Sequence, residues 1–184
     1  TDDFNKNEFY VGYSGQNLQT SGDRIGANGF EVSYTRNFRR LLGIRGSFTG
    51  AFNNRNGDVT FTDQQAGTYS FAFEEERSSY NALVGLQIKD NSGTQRIKPF
   101  AYALVGIASN KTSNTNTCIS GMCPPGLGAS SRSDTGFGSA FGGGIDLRVN
   151  DKIEIRLIQA DFNPIYSNFR SDNNFRIGAG IVFK

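Results

Sequence analysis

Apolar and polar residues alternate along this chain in eight stretches. The last ten residues, FRIGAGIVFK, show the pattern at its clearest. Phe175, Ile177, Ala179, Ile181 and Phe183 fall on one side of an extended segment, and Arg176, Gly178, Gly180, Val182 and Lys184 on the other, because successive side chains of a strand point to opposite faces. Seven earlier stretches repeat it. They are NEFYVGYSG, NGFEVSYTRNF, GIRGSFTGAFN, SYNALVGLQIK, RIKPFAYALVGIAS, GFGSAFGGGIDLRV and KIEIRLIQADF. Phe9, Val11 and Tyr13 oppose Tyr10 and Gly12; Phe30, Val32 and Tyr34 oppose Glu31 and Ser33; Ile153, Ile155 and Leu157 oppose Glu154 and Arg156. The fifth stretch is apolar on both faces; Ala101, Ala103, Val105 and Ile107 are read as outward, and Lys98, Tyr102 and Gly106 as inward. Nothing reads as a helix.

The connections alternate in length. Strands two and three, four and five, and six and seven are joined by a few residues around Arg39-Arg40, DNSGTQ and Asn150-Asp151. The other connections, about Gln16 to Ala27, Asn54 to Ser78, Asn110 to Asp134 and Asn163 to Asn173, are longer and polar. The second contains DVTFTD and TYSFAFEEE, two alternating pieces that predict a β-hairpin rising beyond the wall; the third is rich in Ser, Asn, Thr and Gly and reads as a mobile loop. Eight strands with short turns at one end and long loops at the other are the signature of a transmembrane β-barrel. Hydrocarbon offers no hydrogen bonds, so such a sheet has to close. The predicted fold is an all-β, eight-stranded antiparallel up-and-down transmembrane barrel, one domain over residues 1–184.

Two other folds or roles fit parts of this pattern. In a soluble lipocalin-like carrier, the apolar faces would line a ligand cavity. The polar face argues against it: Gly and Ala dominate where a solvated face would carry Lys and Glu. In a membrane barrel the same face lies inside, with Glu31, Arg45, Asp146, Arg148, Glu154, Arg156 and Arg176 as interior charges. An eight-stranded barrel is just wide enough for such side chains to fill it, whereas an Arg turned into lipid at mid-depth costs about 2–4 kcal/mol. These charges either pair and plug the barrel, or leave a narrow pore for ions or small solutes. Counting only these seven, positive charge is in slight excess.

NEFYVGYS, KPFAYALVG, DTGFGSAFGGGIDLRV, and KIEIRLIQADF followed by NNFRIGAGIVFK resemble the small outer-membrane β-barrel family of Gram-negative bacteria, which includes the OmpA membrane domain. The resemblance runs over essentially the whole chain. It implies a bacterial outer-membrane location, an exported chain whose leader is absent here, and partners in outer-membrane lipid and the barrel-assembly machinery. In this family the last strand carries an assembly signal, which Arg176, Gly178, Ile181 and Phe183 match in order; Lys184, one residue past the aromatic, departs from it.

Composition narrows the chemistry. The 184 residues include 23 Gly and 16 Phe but no His, and the net charge is +2. That balance lacks the concentrated basic patch of a nucleic-acid binder. Without His, the usual nucleophile–base pair is missing, so no enzymatic activity, cofactor or metal is expected. Glu74, Glu75 and Glu76 offer either a cation patch or a solvated hairpin end, and Asp161 and Asp172, placed near the last loop, offer the same choice. Cys118 and Cys123 lie close together in the third loop, where an oxidising compartment favours an intraloop disulfide. Tyr10, Tyr13, Phe38, Tyr80, Phe162 and Tyr166 near the strand ends are expected in an interfacial aromatic girdle. The function expected is a scaffold displaying loops for structural or interaction roles, with a second copy, another envelope protein or a surface molecule as partner.

Overall fold

The computed structural model describes residues 4–20, 23–63, 67–92, 95–121, 128–167 and 170–184. Eight strands run in chain order: β1 (Asn7–Thr20), β2 (Asp23–Asn37), β3 (Leu42–Asp63), β4 (Gly67–Lys89), β5 (Ile97–Ser120), β6 (Ala129–Arg148), β7 (Ile153–Ser167) and β8 (Arg170–Phe183). Each pairs antiparallel with the next, and β1 pairs with β8 from Phe9↔Phe183 to Asn17↔Phe175, so the sheet is a closed barrel. Closure leaves no strand edge inside the wall, as hydrocarbon demands.

The faces are inverted relative to a soluble protein. Phe9, Ile44, Leu86, Val105, Phe141 and Ile181 are exposed, while Glu31, Arg45, Lys98 and Asp146 are buried. A lipocalin-like carrier would need the opposite arrangement, and that reading is excluded. The fifth strand follows its predicted facing: Ala101, Ala103, Val105 and Ile107 are exposed, and Lys98 and Tyr102 are buried.

Three local departures from the sequence expectations matter. The first is in β7, where pairing with β8 steps from Arg156↔Gly180 to Gln159↔Gly178. This bulge turns both Leu157 and Ile158 outward and so brings Gln159 and Asp161 into the lumen. Asp161, expected near the last loop, is therefore an interior residue. The second is Tyr10, expected in the girdle but only 2% exposed. It shares its face with Glu8 and Gly12 and lies across two glycines; a Cβ added at Gly180 would sit 2.8 Å from its ring. Tyr13, Phe38, Tyr80 and Tyr166 are exposed, as a girdle requires.

The third departure concerns the connections. The residues expected as long loops are largely paired strand: β1 and β2 stay in register to Thr20↔Asp23, and β3 and β4 to Asp63↔Gly67. The third connection also continues as strand, with Thr115↔Ala129 still paired between β5 and β6. Its Ser/Thr/Asn alternation suits a two-faced polar ribbon as well as a loop. At the opposite end the turns are short. There Arg40 donates two hydrogen bonds of 3.1 Å to Asp90, and the Ser92 backbone N–H donates a third of 3.0 Å. The Arg40 guanidinium, above all, holds the Asp90 carboxyl well below the usual carboxylate range. This staple between two turns is present at neutral pH and is lost as acid protonates Asp90.

Replacing Gly12 by Leu drives a side chain into the Tyr10 ring. The expected cost is about 1–3 kcal/mol, read as a lower urea midpoint for the refolded barrel in detergent, while Val11→Leu on the outward face leaves the midpoint unchanged.

Candidate functional site

The lumen is built from inward positions of all eight strands. Among the described residues, the buried charged side chains are Glu8, Glu31, Asp146, Glu154 and Asp161 against Arg45, Lys89, Lys98, Arg156 and Arg176. Lys184, whose side chain is also buried against Glu154, makes six bases to five acids, so the slight positive excess expected from seven charges remains. Charge inside a low-dielectric wall is tolerated only when paired and hydrogen-bonded; each of these charges has an opposite charge at contact distance, while Lys98 Nζ and Arg45 Nε make no hydrogen bond among the described residues.

Arg156 is the hub. Its Nε donates to Asp146 Oδ1 at 2.8 Å and its Nη2 to Oδ2 at 3.1 Å, a two-pronged contact, while Nη1 donates to Gln159 Oε1 at 2.7 Å. Its guanidinium lies between the rings of Tyr10 (4.2 Å) and Phe100 (4.0 Å). That placement uses the planar, weakly hydrated head that Lys lacks. Lys89 Nζ donates to Asp146 Oδ2 and Glu154 Oε2, each at 2.7 Å, and to Glu8 Oε1 at 3.1 Å. Lys98 Nζ lies 3.0 Å from Glu154 Oε1, and Lys184 also pairs with Glu154.

A second cluster sits beside the first. Arg45 Nη2 donates to Glu31 Oε1 at 2.6 Å, and Gln159 Nε2 donates to Glu31 Oε2 at 2.8 Å. Arg176 Nε donates to both Asp161 oxygens at 3.0–3.1 Å, and the Tyr102 hydroxyl donates to Asp161 Oδ2 at 2.5 Å. Gln159 therefore joins the two clusters, receiving from Arg156 and Arg45 and giving to Glu31. Alongside them, Leu83, Phe100, Tyr102, Leu104 and Ala140 form a buried apolar cluster.

Six of the seven interior charges expected from the sequence enter this network. Arg148 does not: it reaches Asp151 in the β6–β7 turn and stays partly exposed. Glu8, Lys89, Lys98 and Asp161 enter the network as well, and none of them is among the seven. Alternation already placed Lys89 and Lys98 on inner faces, but at strand ends, where it does not separate lumen from solvent. Of the assembly-signal residues, Arg176 is inside with Asp161, while Ile181 and Phe183 are outward and exposed. Glu74 and Glu76 lie on the opposite face from Glu75, which pairs with Arg77, so the three do not converge. No group of three acidic, Cys or His residues suited to a metal is found among the described residues. Cys123 lies outside the described residues, and with it the expected Cys118–Cys123 bridge.

Above the lumen stands a second feature. β3, β4 and β5 are 22–24 residues long, against 14–15 for β1, β2, β7 and β8. A tilted strand crosses a bilayer in about 9–11 residues, so β3–β6 continue as a four-stranded sheet outside the membrane. β2 leaves β3 after Asn28↔Phe52, and β7 reaches β6 only as far as Tyr166↔Phe137. Residues 54–63 and 129–136 are thus the two edges of this sheet. Its faces differ. One carries Phe61 stacked on Tyr69 (5.9 Å between centroids) and Phe71 (5.8 Å); the other pairs Thr60 with Ser70 at 2.9 Å and Thr62 with Thr68 at 3.2 Å.

Removing one partner of a buried pair strands the other charge, at a cost of about 3–5 kcal/mol, whereas replacing both by apolar groups of similar size is close to neutral. Arg156→Met and Asp146→Leu are each expected to lower the urea midpoint of the refolded barrel strongly. The double variant should recover most of the loss, giving a large coupling energy in the double-mutant cycle.

No protein-family model matches this sequence, and no curated protein matches it in sequence. The fold has clear relatives. The chain is similar to Ail, the attachment invasion locus protein of Yersinia pestis, with 18% identity, a TM-score of 0.60, and coverage of 96% of this chain and 97% of that one. It is also similar to Neisserial surface protein A, with 13% identity, a TM-score of 0.58, and coverage of 98% and 97%. At these identities the likeness is one of fold. With an apolar belt turned outward and its charges enclosed, the chain has the fold of the small eight-stranded bacterial outer-membrane β-barrels, and its place is that membrane.

Proposed function

We propose that the chain is a non-enzymatic outer-membrane scaffold that holds a β-sheet above the membrane for contact with other proteins at the cell surface. The observation that carries this reading is the length of β3–β6 relative to their neighbours. Strand beyond the bilayer is not needed for the barrel. An exposed edge of unpaired backbone groups is a template for another chain, and addition of an extended segment to such an edge is a recurring mode of peptide recognition. The aromatic face next to the β3 edge supplies apolar contact for the side chains of such a segment.

The charge of the sheet bears on the partner. The related Ail was crystallised with a heparin analogue, sucrose octasulfate. A sulfated sugar calls for a basic cluster. Here Arg55, Arg77 and Arg132 share one face of the sheet with Glu75 and Asp134, and Lys111 shares the other with Asp58, Glu74 and Glu76; both faces mix charge, which favours a polypeptide partner. The lumen favours no transport role, because its largest side chains, Arg45, Arg156, Tyr10 and Lys89, are fully buried among one another. Within this reading, Arg176, Gly178, Ile181 and Phe183 remain the proposed assembly signal on β8.

Removing residues 55–62 and 69–76 shortens the β3–β4 ribbon but leaves the wall intact. Cells displaying the shortened chain are expected to lose most of the adhesion to protein-coated surfaces that the full chain confers. The purified variant should still shift its gel mobility on heating, the mark of a folded barrel. Adhesion equal to that of the full chain contradicts the proposal.

A further inference from the structure

The outer wall carries a groove where the belt should be smooth. Across the strands, paired outward positions make rows. One row reads Asn28, Gly15, Ile177, Ala160 and Gly143 across β2, β1, β8, β7 and β6. The next row towards the outer end reads Gly26, Asn17, Phe175, Phe162 and Phe141 across the same strands. Small side chains in the first row lie beside three Phe in the second, two of them with ring centroids 5.2 Å apart. A cavity of about 810 Å3 lies along these rows, lined by Gly15, Ala160, Phe141, Phe162, Phe175 and Ile177, with Asn17 and Asn28 at one end; it also touches the inward residues Gln16, Ala27, Asp161 and Arg176 between them.

The two ends of the groove lie at different depths. On β2, Gly26 and Asn28 come before the first outward aromatic, Phe30; on β1, Gly15 and Asn17 come after the last, Tyr13. This end is at the polar boundary. On β6, Phe141 is already inside the belt, four positions beyond the exposed Phe137. Strands of membrane barrels tilt by about 35–45°, so a row running across them descends through the bilayer. The groove therefore falls from a polar rim into hydrocarbon. At the rim the Tyr13 hydroxyl donates to Asn28 Oδ1 at 2.5 Å, which leaves the Asn28 amide N–H groups to meet an acceptor, beside the exposed Asn17.

We infer that this groove holds one acyl chain of an outer-leaflet lipid, with the ester or amide carbonyl of that chain at Asn17 and Asn28. An acyl lipid has the same polarity profile, a hydrogen-bond acceptor at one end and hydrocarbon below it. A second copy of the barrel would instead need two flat faces, and the ledge formed by Phe162 and Phe175 prevents close contact along the row. The small residues of the floor admit a chain one methylene wide, and the ledge covers it from the side of the headgroups.

The test is native mass spectrometry of the refolded full chain, released from detergent micelles that contain a small proportion of dimyristoylphosphatidylglycerol. The unaltered chain is expected to keep one lipid. Ala160→Phe fills the groove and Asn17→Leu removes the rim donor; each should lower the lipid-bound fraction about tenfold, roughly 1.4 kcal/mol of binding. Ala103→Phe, on the outward face of β5, should keep the lipid. All variants are first shown to be folded by their heat-dependent gel shift. No adduct on the unaltered chain, equal adducts on Ala160→Phe, or loss on Ala103→Phe to the same extent would overturn the inference. Lipid-free dimers in place of the adduct would overturn it in favour of self-association.

Discussion

The pairing of buried charge is the interaction on which the rest depends. A barrel in hydrocarbon turns its apolar side chains outward, so its interior has to be filled by what remains. Among the described residues what remains includes five acids and six bases, Lys184 among them, together with Gln87, Gln159 and two tyrosines. Desolvating one such charge alone costs several kcal/mol. The fold is viable because each is met by an opposite charge at contact distance. Lys89, which meets Glu8, Asp146 and Glu154, carries the largest share of that matching, and Arg156 is gripped by Asp146 between the rings of Tyr10 and Phe100.

Filling the lumen also sets where the glycines go. Large inward side chains need small neighbours, and Tyr10 crosses Gly12 and Gly180 for this reason. The outside answers to different needs. There the small residues Gly15 and Ala160 have no lumen partner to accommodate, and they open the lipid-facing groove instead. The same residue type thus serves packing on one face and ligand space on the other.

Much of this was legible in the sequence. Alternation located all eight strands and their facing, including the ambiguous fifth, because one-sided burial imposes a strict period of two. It failed where the period itself broke. The β7 bulge is invisible to alternation, and Asp161 moved from a loop to the lumen with it. Tyr10 was misplaced because aromatic character near a strand end suggested the girdle, although its parity with Glu8 put it inside. The outer sheet was visible only in part. DVTFTD and TYSFAFEEE read as a hairpin, but the polar residues of β5 and β6 carry no apolar face to reveal them as strand. Lys89 and Lys98 were on the correct face, yet their partners Glu8 and Glu154 come from distant strands, and only the register of the closed sheet brings them together.

The barrel is thus proposed as a filled scaffold whose working surfaces are outside: a sheet above the membrane and a groove within it. The most direct test is single-channel recording on the refolded chain in a planar bilayer, using a sample already shown to be folded. A silent bilayer at neutral pH is the predicted result, since a paired, close-packed lumen leaves no path for ions. Discrete conductance steps would contradict it and would mean that the charge network lines a channel.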